Sequence, residues 1–110
     1  MTTISPANDF VTFINVFTVD PSNQQRLVEL LTRATADSVC YAPGFISASL
    51  HRSIDGGKVT MYAQWQSLEH YEAMRSDPRP RPYLQEALTF ATFDPGMYEV
   101  VEIFFPATDN

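Results

Sequence analysis

The sequence has little of what several common classes of protein require. A single cysteine, Cys40, excludes an internal disulfide, and no paired cysteine or histidine spacing indicates a zinc site. Seven basic residues stand against 13 acidic ones, for a net charge of −6. Nucleic acid is therefore not an expected partner, because phosphates need a concentrated basic surface. Motifs for a Ser-His-Asp triad, a phosphate-binding glycine loop and a dinucleotide site are also missing.

Export and membrane insertion are not expected either. The N-terminal stretch MTTISPANDF lacks the charged and apolar regions of a signal peptide. No apolar run approaches the roughly 20 residues that are needed to cross a bilayer. We therefore expect a cytoplasmic protein. A chain of 110 residues is predicted to form one domain, with an N-terminal arm over about residues 1–9 and a core over about residues 10–105.

Hydrophobic periodicity predicts a mixed chain of strands and helices. The predicted strands cover residues 10–19, 45–53, 58–66 and 97–105. Helices are predicted to begin at Asp20-Pro21 and at Ser67, and a third covers residues 83–91, followed by a turn at 93–96. The proline-rich segment 76–82 should not be regular helix. The order β-α-β-β-α-β predicts an α+β fold of the ferredoxin-like, split βαβ type, an antiparallel sheet with helices on one face.

A sheet with helices on one face leaves its other face to be covered. Alternation places apolar residues together on one side of the first and last strands: Val11, Phe13, Phe17 and Val19, with Asn15 among them, and then Val101, Ile103 and Phe105. Such a face would be prone to aggregation in water. We therefore predict a homodimer in which two sheets pack together, with the ligand site between them.

The predicted hairpin carries polar residues on one side of its first strand. Alternation puts Ile46, Ala48 and Leu50 under the helices, and it puts Phe45, Ser47, Ser49, His51 and Ser53 on the other side. Small polar side chains beside an imidazole suit an amphipathic pocket, although a solvated face explains them equally well. His51 is the best candidate for proton transfer, since an imidazole exchanges a proton near neutral pH.

Two more residues are candidate site residues, because each places a polar group among apolar neighbours. Trp65, the single tryptophan, shares its side of the third strand with Val59, Met61 and Ala63. Its indole N–H needs an acceptor there, although most tryptophans in such positions simply pack in the core. Asn15 lies between Phe13 and Phe17, where an unpaired amide costs about 1–3 kcal/mol. It either pairs with backbone or a buried water, or serves the function.

The stretch PGFISASLHRSIDGGKVTMYAQWQSLEHYEAM, preceded by FVTFINVF and followed by DP, resembles the antibiotic biosynthesis monooxygenase superfamily. Within it, the similarity is greatest to the small cofactor-free oxygenases that form quinones from anthrones in aromatic polyketide biosynthesis. The resemblance spans about residues 10–105 and implies a dimeric α+β barrel. It also implies a monooxygenase that uses O2 to oxidise an anthrone or naphthol type of polyketide to a quinone, with no flavin, haem or metal.

The resemblance also implies roles for particular residues. Trp65, Asn15, His51 and Tyr71 match catalytic or pocket positions of these oxygenases, with the indole N–H bonding a substrate or peroxide oxygen. Met61 stands where a relative has asparagine, and Arg81 is expected near the place of an arginine that this chain replaces with Gln85. The residues predicted to bind substrate are therefore Phe13, Phe17, Ser47, Ser49, Met61 and Arg81.

Other functions fit the same sequence. A polyketide cyclase would use acid–base groups in a similar dimeric fold and would not need O2. Haem-binding or haem-degrading relatives have a histidine ligand about where Arg75 stands, and His70 is out of register with that position. A binding protein without catalytic activity is the remaining alternative, since packing or capping explains every residue named.

Overall fold

The computed structural model describes residues 10–107, in which four antiparallel strands form one sheet. The strands are β1 (Val11–Val19), β2 (Phe45–Arg52), β3 (Lys58–Trp65) and β4 (Ala91–Tyr98). The helices are α1 (Gln24–Asp37), α2 (Leu68–Arg75) and α3 (Arg81–Ala87). The strand order β2-β3-β1-β4 confirms the predicted ferredoxin-like α+β fold. The predicted N-terminal arm lies outside the described residues.

Local sequence signals explain where the first helix begins and which face it buries. Asp20 accepts a hydrogen bond from the Ser22 backbone N–H at 3.0 Å, and Pro21–Asn23 form one 3-10 turn before α1. The buried positions of α1 repeat at helical spacing: Leu27, Leu30, Leu31 and Ala34. Burying one such leucine contributes about 2 kcal/mol, so this apolar stripe holds α1 on the sheet.

The core consists of two clusters of buried residues on the helix-facing side of the sheet. One cluster joins Phe17 and Val59 of the sheet to the leucines of α1. The other joins Ala63 and Trp65 of β3 to Tyr71 of α2. The odd-numbered residues of β1 therefore lie under the helices. This corrects the prediction that they form the uncovered face for sheet-to-sheet packing.

The hairpin of β2 and β3 contains a break in register at its start. Phe45 pairs with Trp65, and the next paired residue of β2, Ser47, lies opposite Gln64, because a β-bulge intervenes. The bulge places the Phe45 side chain on the same face of the sheet as Trp65. Simple alternation instead predicts that Phe45 lies on the face of Ser47. Ala48 packs against the cluster around Trp65, and Leu50 packs against the cluster around Phe17, which confirms the predicted side for both.

The last strand lies earlier in the chain than the sequence predicts. β4 includes the segment 93–96, for which the sequence predicts a turn, and Pro95 lies opposite Asn15 of β1. Proline is tolerated because β4 is an edge strand and needs ladder hydrogen bonds on one side alone. Residues 99–107 have no regular secondary structure. Val101, Ile103 and Phe105 therefore share no sheet face, which corrects the predicted strand 97–105.

The segment between α2 and the last strand also differs in detail. Residues 76–80 are irregular, as expected from their prolines, but Arg81 and Pro82 already belong to α3. Proline is favourable in a first helical turn because no intrahelical partner awaits its missing N–H. The third helix therefore begins two residues earlier than predicted, and it ends at Ala87. Within residues 10–107, no helix has the length and apolar character to cross a membrane.

Candidate active site

A cavity of about 350 Å³ lies between the sheet and the helices. Its floor is formed by β1 and β3, which contribute Asn15, Met61 and Trp65 among others. All three helices contribute to its walls, and β4 closes one side with Phe93 and Pro95. This volume falls within the range of about 300–1,000 Å³ that small-molecule pockets occupy. This candidate site lies within one chain, on the helix side of the sheet, whereas the sequence predicts a ligand site between two sheets.

Aromatic rings line one end of the cavity and touch one another in a chain. The rings of Phe13 and Tyr71 lie 4.9 Å apart at an angle of 33°. Trp65 makes edge-to-face contacts with Tyr71 at 5.9 Å and with Phe45 at 5.3 Å. Each such pair adds roughly 0.5–1.5 kcal/mol beyond its buried area. The rings are consequently held in fixed orientations, and they suit a flat, apolar ligand.

Asn15 supplies an unpaired acceptor in the cavity floor. It is 6% exposed, and its side-chain oxygen Oδ1 has no hydrogen-bond partner among the described residues. Its cross-strand neighbours are Met61 on one side and Pro95 on the other, and neither side chain can donate a hydrogen bond. Leaving such a group unpaired costs about 1–3 kcal/mol. Asn15 lines the cavity, so a ligand whose hydroxyl or amide donor reaches Oδ1 would satisfy it.

Helix α2 positions Tyr71 over the floor. Ser67 caps the N-terminus of the helix, and its hydroxyl oxygen accepts a hydrogen bond from the backbone N–H of His70 at 3.1 Å. Burial raises the pKa of the Tyr71 phenol above its ordinary value, and the nearby Arg75 guanidinium partly opposes that rise. The phenol therefore carries its proton at neutral pH and serves as a hydrogen-bond donor.

The mouth of the cavity is charged, in contrast with its interior. Arg75 of α2 and Arg81 of α3 both line it, together with Asp77 from the segment between these helices. Asp77 is bound by Arg79, whose Nη2 lies 2.6 Å from Oδ2 of the carboxylate. An entering ligand thus meets arginines at the rim before it reaches the rings.

The sequence-predicted site residues divide between the two faces of the sheet. The cavity brings together Phe13, Asn15, Phe17, Met61, Trp65, Tyr71 and Arg81. The other three, Ser47, Ser49 and His51, alternate with the cavity-lining side of β2 and lie on the opposite face. There, His51 is exposed, and its Nε2 lies 2.9 Å from the Ser49 hydroxyl oxygen. A direct contact between His51 and a ligand in this cavity is not possible in this arrangement.

The cavity is also lined by residues that are not among the predicted site residues. Met74 and Arg75 line it, and they follow Tyr71 by three and four positions. That spacing puts all three on one face of a helix, so this signal was present in the sequence. Phe45 also lines the cavity, and only the bulge after it explains why.

Metal ligands are not clustered in the described part of the chain. Among residues 10–107, no group of three or more histidine, cysteine, aspartate or glutamate side chains is arranged to hold a metal ion. His70, which is out of register with the haem ligand of haem-binding relatives, holds its Nδ1 2.7 Å from the Ser67 hydroxyl oxygen at the start of α2. Its ring also packs against Gly44, so its contacts are structural.

Known proteins are similar to this chain in both sequence and fold. Tetracenomycin-F1 monooxygenase of Streptomyces glaucescens is 40% identical over 104 residues, which cover 94% of this chain and 93% of that protein. The monooxygenase from the gene ActVA-Orf6 of Streptomyces coelicolor, solved with nanaomycin D, is 30% identical. It superposes with a TM-score of 0.77 over 94% of this chain and 96% of that one.

The cofactor-independent oxygenase SnoaB of Streptomyces nogalater has the same fold, with a TM-score of 0.75 and 24% identity over 90% of this chain and 99% of that one. A family model described as antibiotic biosynthesis monooxygenase matches residues 10–81. These findings confirm the family and the monooxygenase activity that the hairpin motif predicts. With the split βαβ sheet, the aromatic cavity and a matching relative along nearly its whole length, the chain belongs to the antibiotic biosynthesis monooxygenase family.

Proposed function

We propose that this monooxygenase oxidises a phenolic, polycyclic aromatic polyketide of the anthrone or naphthol type to a quinone, with O2 and without a cofactor. The observation that carries the proposal is the unpaired Oδ1 of Asn15 in the floor of a cavity lined by aromatic rings. A flat substrate satisfies both features, because its rings stack within the aromatic wall and a phenolic hydroxyl donates to Asn15. The relatives named for tetracenomycin F1 and solved with nanaomycin D support this class of substrate.

In this reaction the substrate itself supplies the electrons. Loss of a proton from the anthrone carbon gives an electron-rich anion, which passes one electron to O2. The substrate radical and superoxide then combine and take up a proton to form a hydroperoxide. Loss of water from the hydroperoxide leaves one oxygen atom on carbon as the new carbonyl. The two hydrogens of the original CH2 group end in that water, so the atoms and electrons balance with O2 as the only oxidant.

The protein's part is to hold the substrate and stabilise the charge that develops on oxygen. Asn15 accepts from the substrate hydroxyl and orients the rings. The Tyr71 phenol and the Trp65 indole N–H donate to substrate or peroxide oxygen. Because Trp65 is 1% exposed and Tyr71 is 6% exposed, these donors act where water is largely excluded and hydrogen bonds to charge are stronger.

Oxygen consumption tests this proposal directly. Metal-stripped protein should consume O2 with dithranol or emodin anthrone faster than buffer alone. The Trp65→Phe variant keeps the ring and removes the N–H, so its rate should fall by about 10- to 100-fold if the indole stabilises an oxyanion. Rates equal to the buffer control with several such phenols would contradict the proposal. Substrate conversion under anaerobic conditions would instead favour a cyclase.

We also propose that the enzyme is a homodimer. The support comes from the segment 99–107, which follows β4 without regular structure and leaves three large apolar side chains in water. Their exposed fractions are 85% for Val101, 87% for Phe104 and 82% for Phe105. Apolar side chains so close together are typical of a surface that another chain covers, and a second copy is always present at matching concentration.

Sedimentation equilibrium tests the dimer. The native chain should sediment at twice the monomer mass of 12.4 kDa, and the double substitution Phe104→Ser with Phe105→Ser should shift it towards the monomer. Glu102→Gln lies in the same segment and removes no apolar surface, so it should leave the dimer intact. A native chain that is monomeric at micromolar concentration would contradict the proposal.

A further inference from the structure

The charge at the cavity mouth is opposite to that of the protein as a whole. The net charge of the chain is −6, yet the stretch from Arg75 to Arg81 contains three arginines and one carboxylate. Arg75, Asp77 and Arg81 line the cavity itself. The difference between the two signs indicates a local function for these charges, because a cationic rim on an acidic protein draws anions to that one place.

The single carboxylate of this rim, that of Asp77, is already paired with Arg79. The Nε of Arg79 lies 3.1 and 2.9 Å from the two carboxylate oxygens of Asp77, and Nη2 lies 2.6 Å from Oδ2. The backbone N–H of Arg79 donates to Oδ1 as well, at 3.0 Å. These hydrogen bonds hold the pKa of Asp77 below its usual range. Asp77 is therefore ionised at neutral pH, and its charge is directed to Arg79.

The other two arginines have no such partner. Within residues 10–107, the ion pairs with aspartate or glutamate are those of Arg26 and Arg79, so Arg75 and Arg81 form none. Arg75 follows Tyr71 by four positions on α2, which puts the two side chains on one face of the helix, and its charge and a side-chain hydrogen bond act to lower the pKa of the phenol. Two cations at the mouth are consequently available to a ligand.

We propose that Arg75 and Arg81 bind a carboxylate carried by the aromatic substrate, and that Arg79 is a positioning residue that keeps Asp77 from neutralising them. The inference deepens the proposed function and rests on it. The polarity of the cavity lining supports it, because the buried acceptor of Asn15 on the sheet would pair with a hydroxyl and the exposed arginines of the helices would pair with an anion. A carboxylate matches the planar, two-pronged donor face of a guanidinium.

Equilibrium binding to the full chain tests the carboxylate without requiring turnover or O2. The probes are anthraquinone-2-carboxylate and anthraquinone-2-carboxamide, which share a shape and differ by one charge. Quenching of the fluorescence of Trp65, the one tryptophan, reports their binding. The carboxylate should bind about five- to tenfold more tightly than the amide, a modest factor because the rim is exposed to solvent. A higher salt concentration should reduce this preference and leave amide binding unchanged.

Substitutions at the rim assign the preference to residues. Arg75→Gln and Arg81→Gln should each weaken carboxylate binding and leave amide binding near that of the native chain. Arg52→Gln is the matched control, since Arg52 lies on β2, where it donates to Gln25, outside this cavity. Equal affinity for the two probes, binding of neither, or a preference that survives both rim substitutions would overturn the proposal.

A double substitution tests the positioning role of Arg79. Arg79→Gln should weaken carboxylate binding by several-fold, because Asp77 is then free to pair with Arg75 or Arg81. Adding Asp77→Asn should restore carboxylate binding, which simple loss of a surface cation would not do. No effect of Arg79→Gln, or no restoration, would overturn this role. Since dithranol carries no carboxylate, its oxidation tests the proposed oxygenase independently of the rim.

Discussion

Two buried amides on opposite faces of one sheet differ in what surrounds them. Asn15 on β1 is 6% exposed and Gln64 on β3 is 1% exposed. The side-chain oxygen of each has no hydrogen-bond partner among the described residues. Asn15 borders the cavity, whereas Gln64 lies between Thr12 and Ser47 on neighbouring strands. The same local cost therefore arises in two surroundings, since the first acceptor belongs to a residue that lines the cavity and the second to a residue that is buried away from it.

The largest effect should come from exchanging the cavity amide for an apolar group. Asn15→Leu removes the unpaired acceptor, so the free energy of unfolding should rise by about 1–3 kcal/mol. Oxygen uptake with dithranol should fall by at least about tenfold, because the substrate hydroxyl loses its acceptor. Chemical denaturation and oxygen electrode measurements check the two results.

Gln64→Met is the matched control on the other face. It removes an acceptor of the same kind, so it should also stabilise the fold, while the rate of oxygen uptake stays within about twofold of the native rate. A loss of activity in Gln64→Met equal to that in Asn15→Leu would show that the two faces do not differ in function.

Substitution of Gly44 tests how α2 is held in place against the sheet. Gly44 has a φ of +83°, and a Cβ there would overlap the ring of His70. Gly44→Ala should therefore lower the free energy of unfolding by about 2 kcal/mol or more and shift α2 with Tyr71. Gly57→Ala meets nothing closer than the Asp55 carboxylate oxygen at 3.6 Å and serves as the control. Equal stability of the two variants would contradict the packing of His70 on Gly44.

The pH dependence of stability distinguishes a buried phenol from an exposed side chain. Burial raises the pKa of Tyr71 in the folded state, so the folded chain retains a proton that the unfolded chain releases near pH 10. The contribution of Tyr71 is therefore complete below about pH 10 and is lost as the pH rises towards its folded pKa. Unfolding of Tyr71→Phe should be less sensitive to pH above 10 than unfolding of the native chain. Identical alkaline profiles would contradict a buried Tyr71.

The smallest effect should be that of His51→Ala on the outer face. His51 is exposed, and it faces away from the cavity, so the rate of oxygen uptake should stay within about twofold of the native rate. Its pH profile should also be unchanged. A loss of more than about tenfold would return His51 to the catalytic role that the sequence resemblance implies and would place chemistry on both faces.

Alternation along single strands was enough to predict which cavity residues share a side. Asn15, Phe13 and Phe17 were predicted to lie together on β1, and Trp65 was placed with Met61 and Ala63 on β3; all of them line the cavity. Alternation does not reveal which of the two faces the helices cover. For that reason the sequence alone predicts that the odd-numbered residues of β1 face another sheet, whereas they face α1 and α2.

The sequence predictions are wrong where pairing with a neighbouring strand determines the local structure. Pro95 and Gly96 are typical of a turn, but pairing with β1 extends β4 through both of them. The bulge after Phe45 likewise exists only because β2 pairs with β3. Neither feature has a reliable local signal, since an edge strand accepts proline and a bulge adds one residue without a required sequence.

The order of strands and helices, the family, and the set of aromatic and amide groups available to a ligand all follow from the amino-acid sequence. These depend on local periodicity and on a motif that is continuous in the chain. The three-dimensional packing is what brings Asn15, Trp65 and Tyr71 to one cavity and leaves His51 on the opposite face of the sheet. That division depends on which face the helices bury, and helix packing is a contact between segments distant in sequence.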